Sequence, residues 1–133
     1  MYGWVDYGGV DGCARASSVV ERGFVSYSNE AKAEILGVEA EILEQFGAVS
    51  AHVAEDMARG ALNFSRADKA LSVTGIAGPD GGSAGKPVGL VFFGVATREG
   101  VVMHYQCHFT GGREAVRLQA VQEALRLLLS LVD

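Results

Sequence analysis

Residues 71–94 read LSVTGIAGPDGGSAGKPVGLVFFG and combine two apolar runs with a glycine-rich loop between them. The first run, 71–76, is typical of a buried strand, and a second apolar strand is predicted after Pro87. Because one strand precedes the loop and another follows it, the sequence predicts a rigid sheet in which a glycine-rich loop connects two of the strands. We therefore expect the remaining elements to pack around this pair of strands.

The loop contains five glycines, which are Gly75, Gly78, Gly81, Gly82 and Gly85. Glycine adopts positive φ angles freely and lets backbone N–H groups approach a ligand closely, which favours a binding loop for an anionic oxygen. A glycine-rich segment is equally often a plain connection between strands. Thr74 and Lys86, at the two ends of the loop, add polar groups and shift the balance slightly toward binding.

Helical and strand patterns alternate along the rest of the chain. Helices are predicted for 30–36 with Asn29 as the N-cap, for 39–46, for a longer segment capped by Ser50, and for 114–131. Strands are predicted for a run at 19–27 and for 88–97 and 101–109, the last two joined as an antiparallel hairpin. We expect an α/β fold, a single layered domain over residues 1–133 whose mixed sheet, with this antiparallel hairpin, packs against helices. Residues 1–16 show neither helical nor strand periodicity, so no secondary-structure element is predicted for them.

Composition restricts the class of protein. The chain has 133 residues, 49% of them hydrophobic, and a formal net charge of -5, which fits one domain with one core. The acidic balance argues against nucleic acid and anionic membranes as partners. No bilayer-spanning run and no secretory signal are recognised, so a cytoplasmic protein is expected. Cys13 and Cys107 are predicted to be free thiols, with a cysteine nucleophile as a minor alternative.

Two sets of polar residues could carry chemistry. Residues 27–32, YSNEAK, lie where a strand is predicted to meet a helix, and the helix dipole with partial burial would favour the neutral, basic form of Lys32. The alternative is a solvated helix lysine beside a packed tyrosine. Arg113 lies at the entrance to the last helix and could clamp a phosphate or carboxylate together with the helix N-terminus. Arg117, one turn on, points the same way or pairs with Glu114 or Glu123 on a solvated face.

A metal site is the weaker interpretation of one strand. His104, Gln106 and His108 alternate and share a face, which supplies at most two metal ligands. A polar outer face of the hairpin is the plainer explanation. No metal and no cofactor are therefore predicted.

Several of these segments match one known family. They are YSNEAK at 27–32 with LGV at 36–38, GAVS at 47–50, VTGIAGP at 73–79 with GKPVG at 85–89, and F-x-G-x-R-x-x-x-R at 109–117. Together they resemble the C-terminal domain of the CinA (competence/damage-inducible) proteins from about residue 17 to the end of the chain. This family includes nicotinamide mononucleotide amidases, which hydrolyse the carboxamide to nicotinic acid mononucleotide and ammonia.

The resemblance implies roles for particular residues. It makes Tyr27 and Lys32 the base partners of a serine nucleophile and places Thr74 with its loop at the substrate and oxyanion site. It also implies a set of substrate-binding residues, which are Ser28, Asn29, Gly75, Ala77, Gly78 and Arg113. The implied partner is a small mononucleotide, without nucleic acid or membrane, and a homo-oligomer is left open. Neither a metal nor a cofactor is implied.

This chain departs from the family pattern at its nucleophile. The family carries a Ser-Cys-Thr-Gly-Gly motif upstream of the YSN segment, and the sequence does not contain it. Without the covalent route, amide hydrolysis should be weak or absent. Residues 1–15, back-translated and read one base later, permit the missing segment, so we hypothesise a frame slip ahead of Ser17. The alternatives are a non-catalytic mononucleotide-binding or regulatory domain, or an interaction module.

Overall fold

The computed structural model describes residues 19–131, which form four helices and three strands. In chain order these are α1 (Asn29–Leu36), α2 (Ala40–Phe46), α3 (Ala51–Asn63), β1 (Lys69–Gly75), β2 (Leu90–Thr97), β3 (Val102–His108) and α4 (Arg113–Leu131). The predicted α/β class is confirmed, with each predicted helix displaced by at most one residue at its start. The predictions for residues 1–16 and for Cys13 lie outside the described residues.

The sheet has the order β1-β2-β3. β1 and β2 are antiparallel, with Lys69 opposite Thr97 and Gly75 opposite Val91. β2 and β3 form the predicted hairpin, also antiparallel, with Leu90 opposite His108. Both strand pairings within residues 19–131 are therefore antiparallel, and the parallel pairing that a mixed sheet requires is not among them.

Helices cover both faces of the sheet. On one face a cluster joins strand residues to α4, with Phe93 fully buried at its centre; its other members include Val73, Val91, Val116, Ala120, Ala124 and Leu127. On the other face Ala58 and Leu62 of α3 pack on Ala70 and Ala96. The result is a three-layer arrangement, and it explains why β2 is apolar along nearly its whole length.

Glycine permits two close approaches by α3. A Cβ atom built on Gly94 of β2 would lie 2.1 Å from the carbonyl oxygen of Ala54, and Ser72 of β1 donates a hydrogen bond of 2.5 Å to that same oxygen. A Cβ atom on Gly60 would lie 1.8 Å from the carbonyl oxygen of Leu36, at the end of α1. These contacts fix α3 against both the sheet and α1.

The helix ends follow the capping rules, with one correction. Ser28, not Asn29, is the N-cap of α1, because its backbone is extended and its Oγ accepts a 3.0 Å hydrogen bond from the Ala31 N–H. Asn29 is already the first helical residue. Gly37 and Gly47 follow the last residues of α1 and α2 as their C-caps, and the predicted Ser50 cap of α3 is confirmed.

The strand predicted at 19–27 is wrong for the described part of that run. Phe24 packs against the cluster formed by α1, α2 and α3, and Ser26 is buried, whereas Val25 and Tyr27 are exposed. The side chains thus alternate as they would in a strand, but the backbone pairs with no strand among residues 19–131. The alternation of apolar and polar residues predicts which side chains are buried, but a β-strand also requires hydrogen bonds to a neighbouring strand.

Among these residues, no helix is long and apolar enough to cross a membrane.

Candidate functional site

Lys32 is a buried lysine at the end of the first turn of α1. Its side chain leaves only 6% of the residue exposed, and Nζ donates to the carbonyl oxygens of Tyr27 at 3.0 Å and Ser26 at 3.4 Å. The interpretation as a solvated surface lysine is therefore excluded. Burial of an amine requires such polar partners, and the turn that leads into α1 supplies them.

The other residues of the YSN segment lie at the surface. Tyr27 is 72% exposed, and its backbone carbonyl oxygen accepts the hydrogen bond from Lys32. Ser28 is exposed and uses its hydroxyl oxygen as the cap of α1, and Asn29 is exposed beside it. The structure thus brings Tyr27, Ser28, Asn29 and Lys32 together at one helix start.

Thr74 and Gly75 end β1. Thr74 is buried, and its Oγ1 donates a 2.8 Å hydrogen bond to the carbonyl oxygen of Ala48, in the connection between α2 and α3. A Cβ atom on Gly75 would lie 2.7 Å from a methyl carbon of Val91. The glycine here serves the packing of β1 on β2, and the threonine hydroxyl already has an acceptor.

The glycine-rich loop leaves the sheet after Ile76 and returns at Gly89. Backbone hydrogen bonds close its base, from Ile76 N to Leu90 O at 2.9 Å and from Gly89 N to Ile76 O at 2.7 Å. Beyond the base, residues 79–85 are exposed. They form most of the wall of an open depression, lined by Pro79, Asp80, Gly81, Gly82, Ser83, Pro87 and Val88.

The side chain of Val88 leaves too little space for a Cβ atom at two of the loop glycines. Cβ atoms built on Gly78 and Gly82 would lie 2.6 Å and 2.9 Å from its methyl carbons. Gly85, by contrast, has open space around it. Ala77 is buried in the cluster that contains Phe93, so only its backbone can face a ligand.

Arg113 is the first residue of α4 and reaches the loop. Its Nη1 donates a 2.8 Å hydrogen bond to the carbonyl oxygen of Gly78. The residue is exposed, and a guanidinium has five N–H donors, so it can hold the loop and still bind an anion. This contact brings Thr74, Gly75, Ala77, Gly78 and Arg113 together at one end of the sheet.

The hydrogen bonds from Lys32 to Ser26 and Tyr27 and from Thr74 to Ala48 do not link the two sets of residues directly. The sequence motifs predict both sets. They also include GAVS at 47–50, in the connection between α2 and α3, residues 46–50, to which Thr74 is hydrogen-bonded.

Two features of this connection are missed by the sequence reasoning. Lys86 Nζ donates to the carbonyl oxygen of Phe46, and the ring of Phe46 stacks on that of His52, with centroids 3.7 Å apart. His52 is exposed, as expected, but it is not isolated. The sequence feature that could have indicated the contact with Phe46 is the position of Lys86 at the end of the glycine-rich loop.

The histidines of β3 do not assemble a metal site. His104 Nδ1 lies 2.6 Å from Glu55 Oε2 on α3, and Arg59 pairs with Asp56 on the same helix. Across the described chain, no group of three or more His, Cys, Asp or Glu side chains is arranged to hold a metal ion.

Comparison with known proteins decides the family. The model of the CinA C-terminal domain matches residues 10–132. This chain belongs to the CinA C-terminal domain family. The CinA match begins at residue 10, ahead of residue 17, where the resemblance described above begins.

Curated CinA relatives and solved structures agree with this. The chain is 56% identical over 117 residues to the nicotinamide-nucleotide amidohydrolase PncC of Enterobacter agglomerans, covering 85% of this chain and 71% of that protein. The PncC of Escherichia coli K12 is 55% identical over 115 residues, with 86% and 70% covered. A crystal structure of a competence/damage inducible protein from Agrobacterium tumefaciens superposes with a TM-score of 0.87 at 50% identity, covering 93% of this chain and 78% of that one.

Proposed function

We propose that this chain binds nicotinamide mononucleotide at the end of the sheet and acts, weakly, as an amidohydrolase. In the reaction, water adds to the carboxamide carbon and the C–N bond breaks, leaving a carboxylate and ammonia. The observation that carries the proposal is Lys32, an amine buried at a helix start in a chain 56% identical to a named nicotinamide-nucleotide amidohydrolase. We assign this amine the role of general base in the reaction.

The charges around the loop suggest how a mononucleotide would lie. Asp80 lines the depression and would repel a phosphate, whereas Arg113 reaches the same loop from the start of α4. We place the phosphate toward Arg113, where the helix N-terminus adds a partial positive charge, and the carboxamide toward Lys32 and Tyr27.

Thr74 would act indirectly. Its hydroxyl proton is committed to the carbonyl oxygen of Ala48, so its contribution to an oxyanion site would come from the loop backbone that it fixes. Ser28 and Asn29 would border the site from the start of α1, and Ala77 and Gly78 would contribute backbone groups. No metal enters this proposal, and we place the reaction in the cytoplasm.

One feature of the sequence favours a second function. Residues 1–133 contain no Ser-Cys-Thr-Gly-Gly motif, the segment that would supply the nucleophile of the covalent route. A non-catalytic mononucleotide-binding or regulatory domain would keep the pocket and need no nucleophile. The two functions differ in turnover, not in ligand.

Calorimetry and ammonia release separate the two functions. We compare this chain with a chimera that carries the N-terminal segment of the E. agglomerans relative ahead of Ser17. Both proteins should bind nicotinamide mononucleotide, and the chimera should release ammonia much faster. Equal and robust turnover by the two would contradict the assigned serine nucleophile, and binding without turnover by the chimera would favour the regulatory function.

Lys32→Met in the chimera tests the proposed base. Its matched control is Lys69→Met, because Lys69 also donates to a backbone carbonyl, that of Leu131, but lies at the opposite end of β1. Ammonia release should fall by about 100-fold or more for Lys32→Met and stay unchanged for Lys69→Met. Similar rates for the two variants would remove Lys32 from the mechanism.

A further inference from the structure

Three consecutive backbone carbonyls between α2 and α3 accept side-chain hydrogen bonds. Lys86 Nζ donates to Phe46 O, Ser50 Oγ donates to Gly47 O at 2.9 Å, and Thr74 Oγ1 donates to Ala48 O at 2.8 Å. Ser50 is local to the connection, whereas Thr74 and Lys86 flank the glycine-rich loop. The connection thus holds the loop at its entrance and its exit.

The surroundings of Lys86 suit this structural use of its charge. It is half-buried, and no carboxylate within residues 19–131 forms an ion pair with it. Its acceptor is a carbonyl at the C-terminal end of α2, where the helix dipole places partial negative charge. Gly47 provides the space, because a Cβ atom there would lie 2.8 Å from Nζ.

The loop needs such an anchor. Its exposed residues 79–85 include three glycines, which makes an unrestrained loop entropically costly to order. Arg113 holds one end through Gly78 O. At the other end, Ser83 N donates to Lys86 O at 2.9 Å, so fixing Lys86 also fixes a residue that lines the depression.

We propose that Lys86 is a positioning residue that fastens the glycine-rich loop to the connection between α2 and α3 and so shapes the wall of the ligand site. It acts through the loop, not by touching the ligand. The link to a ligand rests on the proposed function, because it takes this loop to be part of the mononucleotide site. The anchoring itself does not depend on any ligand.

Hydrogen–deuterium exchange of the ligand-free protein tests the anchoring. Lys86→Met keeps most of the apolar stem and removes the ammonium donor. The hydrogen-bonded amides of Ser83 and Lys86 should exchange about tenfold faster than in the unchanged chain, because the ammonium bond that holds this turn is lost. Lys69→Met, which removes a similar bond at the far end of β1, should leave these two amides unchanged. Unaltered exchange of both amides in Lys86→Met overturns the proposal.

Titration with nicotinamide mononucleotide tests the link to the site. Lys86→Met should weaken binding by several-fold, in parallel with the faster exchange. Weaker binding with unchanged exchange would make Lys86 a direct ligand contact, and faster exchange with unchanged binding would separate the loop from the ligand site; each overturns the proposal. If the unchanged chain does not bind the mononucleotide, the proposed function fails, while the exchange experiment still decides the anchoring.

Discussion

Gly60 shows how one missing side chain sets the distance between two helices. Alanine in place of glycine ordinarily stabilises a helix interior by about 1 kcal/mol. Here the added Cβ would lie 1.8 Å from Leu36 O and 2.7 Å from its carbonyl carbon, and a backbone cannot rotate away as a side chain can. We expect Gly60→Ala to reduce the free energy of unfolding by roughly 3 kcal/mol, measured by urea denaturation.

Gly85→Ala is the matched control. No atom lies within 4 Å of a Cβ built there, so this variant should change the free energy of unfolding by less than about 1 kcal/mol. Equal losses in the two variants would mean that the contact between α1 and α3 yields easily.

Cys107 is expected to react slowly because its thiol resists ionisation. Burial, and secondarily the nearby Glu123 carboxylate, raise the pKa of the Cys107 thiol. The thiolate is the reactive form, so iodoacetamide should alkylate the folded protein more slowly than the urea-unfolded one at mildly alkaline pH. Measurements in a Cys13→Ser background isolate this thiol. Glu123→Gln should lower the pKa of the Cys107 thiol only in part, because the thiol remains buried. Equal alkylation rates for the folded and the unfolded protein would contradict the raised pKa.

The start of α1 is the clearest test at the level of elements. Ser28→Ala removes the hydroxyl that accepts from Ala31 N, so it should reduce the free energy of unfolding by about 1 kcal/mol. Asn29→Ala, one residue inside the helix, should have little effect or a small stabilising one. Thermal denaturation of the two variants decides between the caps, and a larger loss for Asn29→Ala would restore the cap expected from the sequence.

Local chemistry explains which elements the sequence could predict. Gly37 and Gly47 end helices because their backbones adopt positive φ, and Ser50 caps α3 through a contact three residues away. Such features are visible in a short stretch of sequence. The sequence predicted Asn29 in place of Ser28 as the N-cap of α1, because both residue types are favoured at that position. The run at 19–27 was misassigned because a strand depends on a partner that its own sequence does not contain.

At the scale of the whole molecule, the candidate site could be predicted only in part. The motifs locate Thr74, Lys32 and Arg113, but not the use of their polar atoms. The contacts of Thr74 with Ala48 and of Lys86 with Phe46 join segments 26 and 40 residues apart in the chain. Pairings of that kind are set by the packing of α2 and α3 against the sheet, which periodicity does not describe.

Acidification should weaken the fold through two carboxylates whose charged forms are stabilised by neighbouring arginine side chains. Hydrogen bonds from Arg22, and then from the backbone of Arg66, lower the pKa of Glu21, and a hydrogen bond from Arg126 lowers that of Glu123. A lowered folded-state pKa means that the charged form is favoured on folding. This stabilisation is present above the ordinary carboxyl pKa of 4.5 and is lost as the pH falls through the folded-state pKa.

Urea midpoints of the unchanged chain and of Glu21→Gln measure the contribution of Glu21. The variant should be slightly less stable near neutral pH, because it lacks both the ion pair with Arg22 and the carboxylate that accepts a hydrogen bond from the Arg66 N–H, in the turn before β1. The gap should close as the pH falls through the lowered folded-state pKa of Glu21, where the glutamate itself becomes protonated. Since the pair is exposed, the gap should also shrink in high salt. The control is Glu99→Gln, because Glu99 is exposed in the β2–β3 turn and forms no ion pair within the described chain. Its stability difference from the unchanged chain should not close in acid in this way. If the difference for Glu21→Gln persists in acid, its effect comes from packing and not from charge.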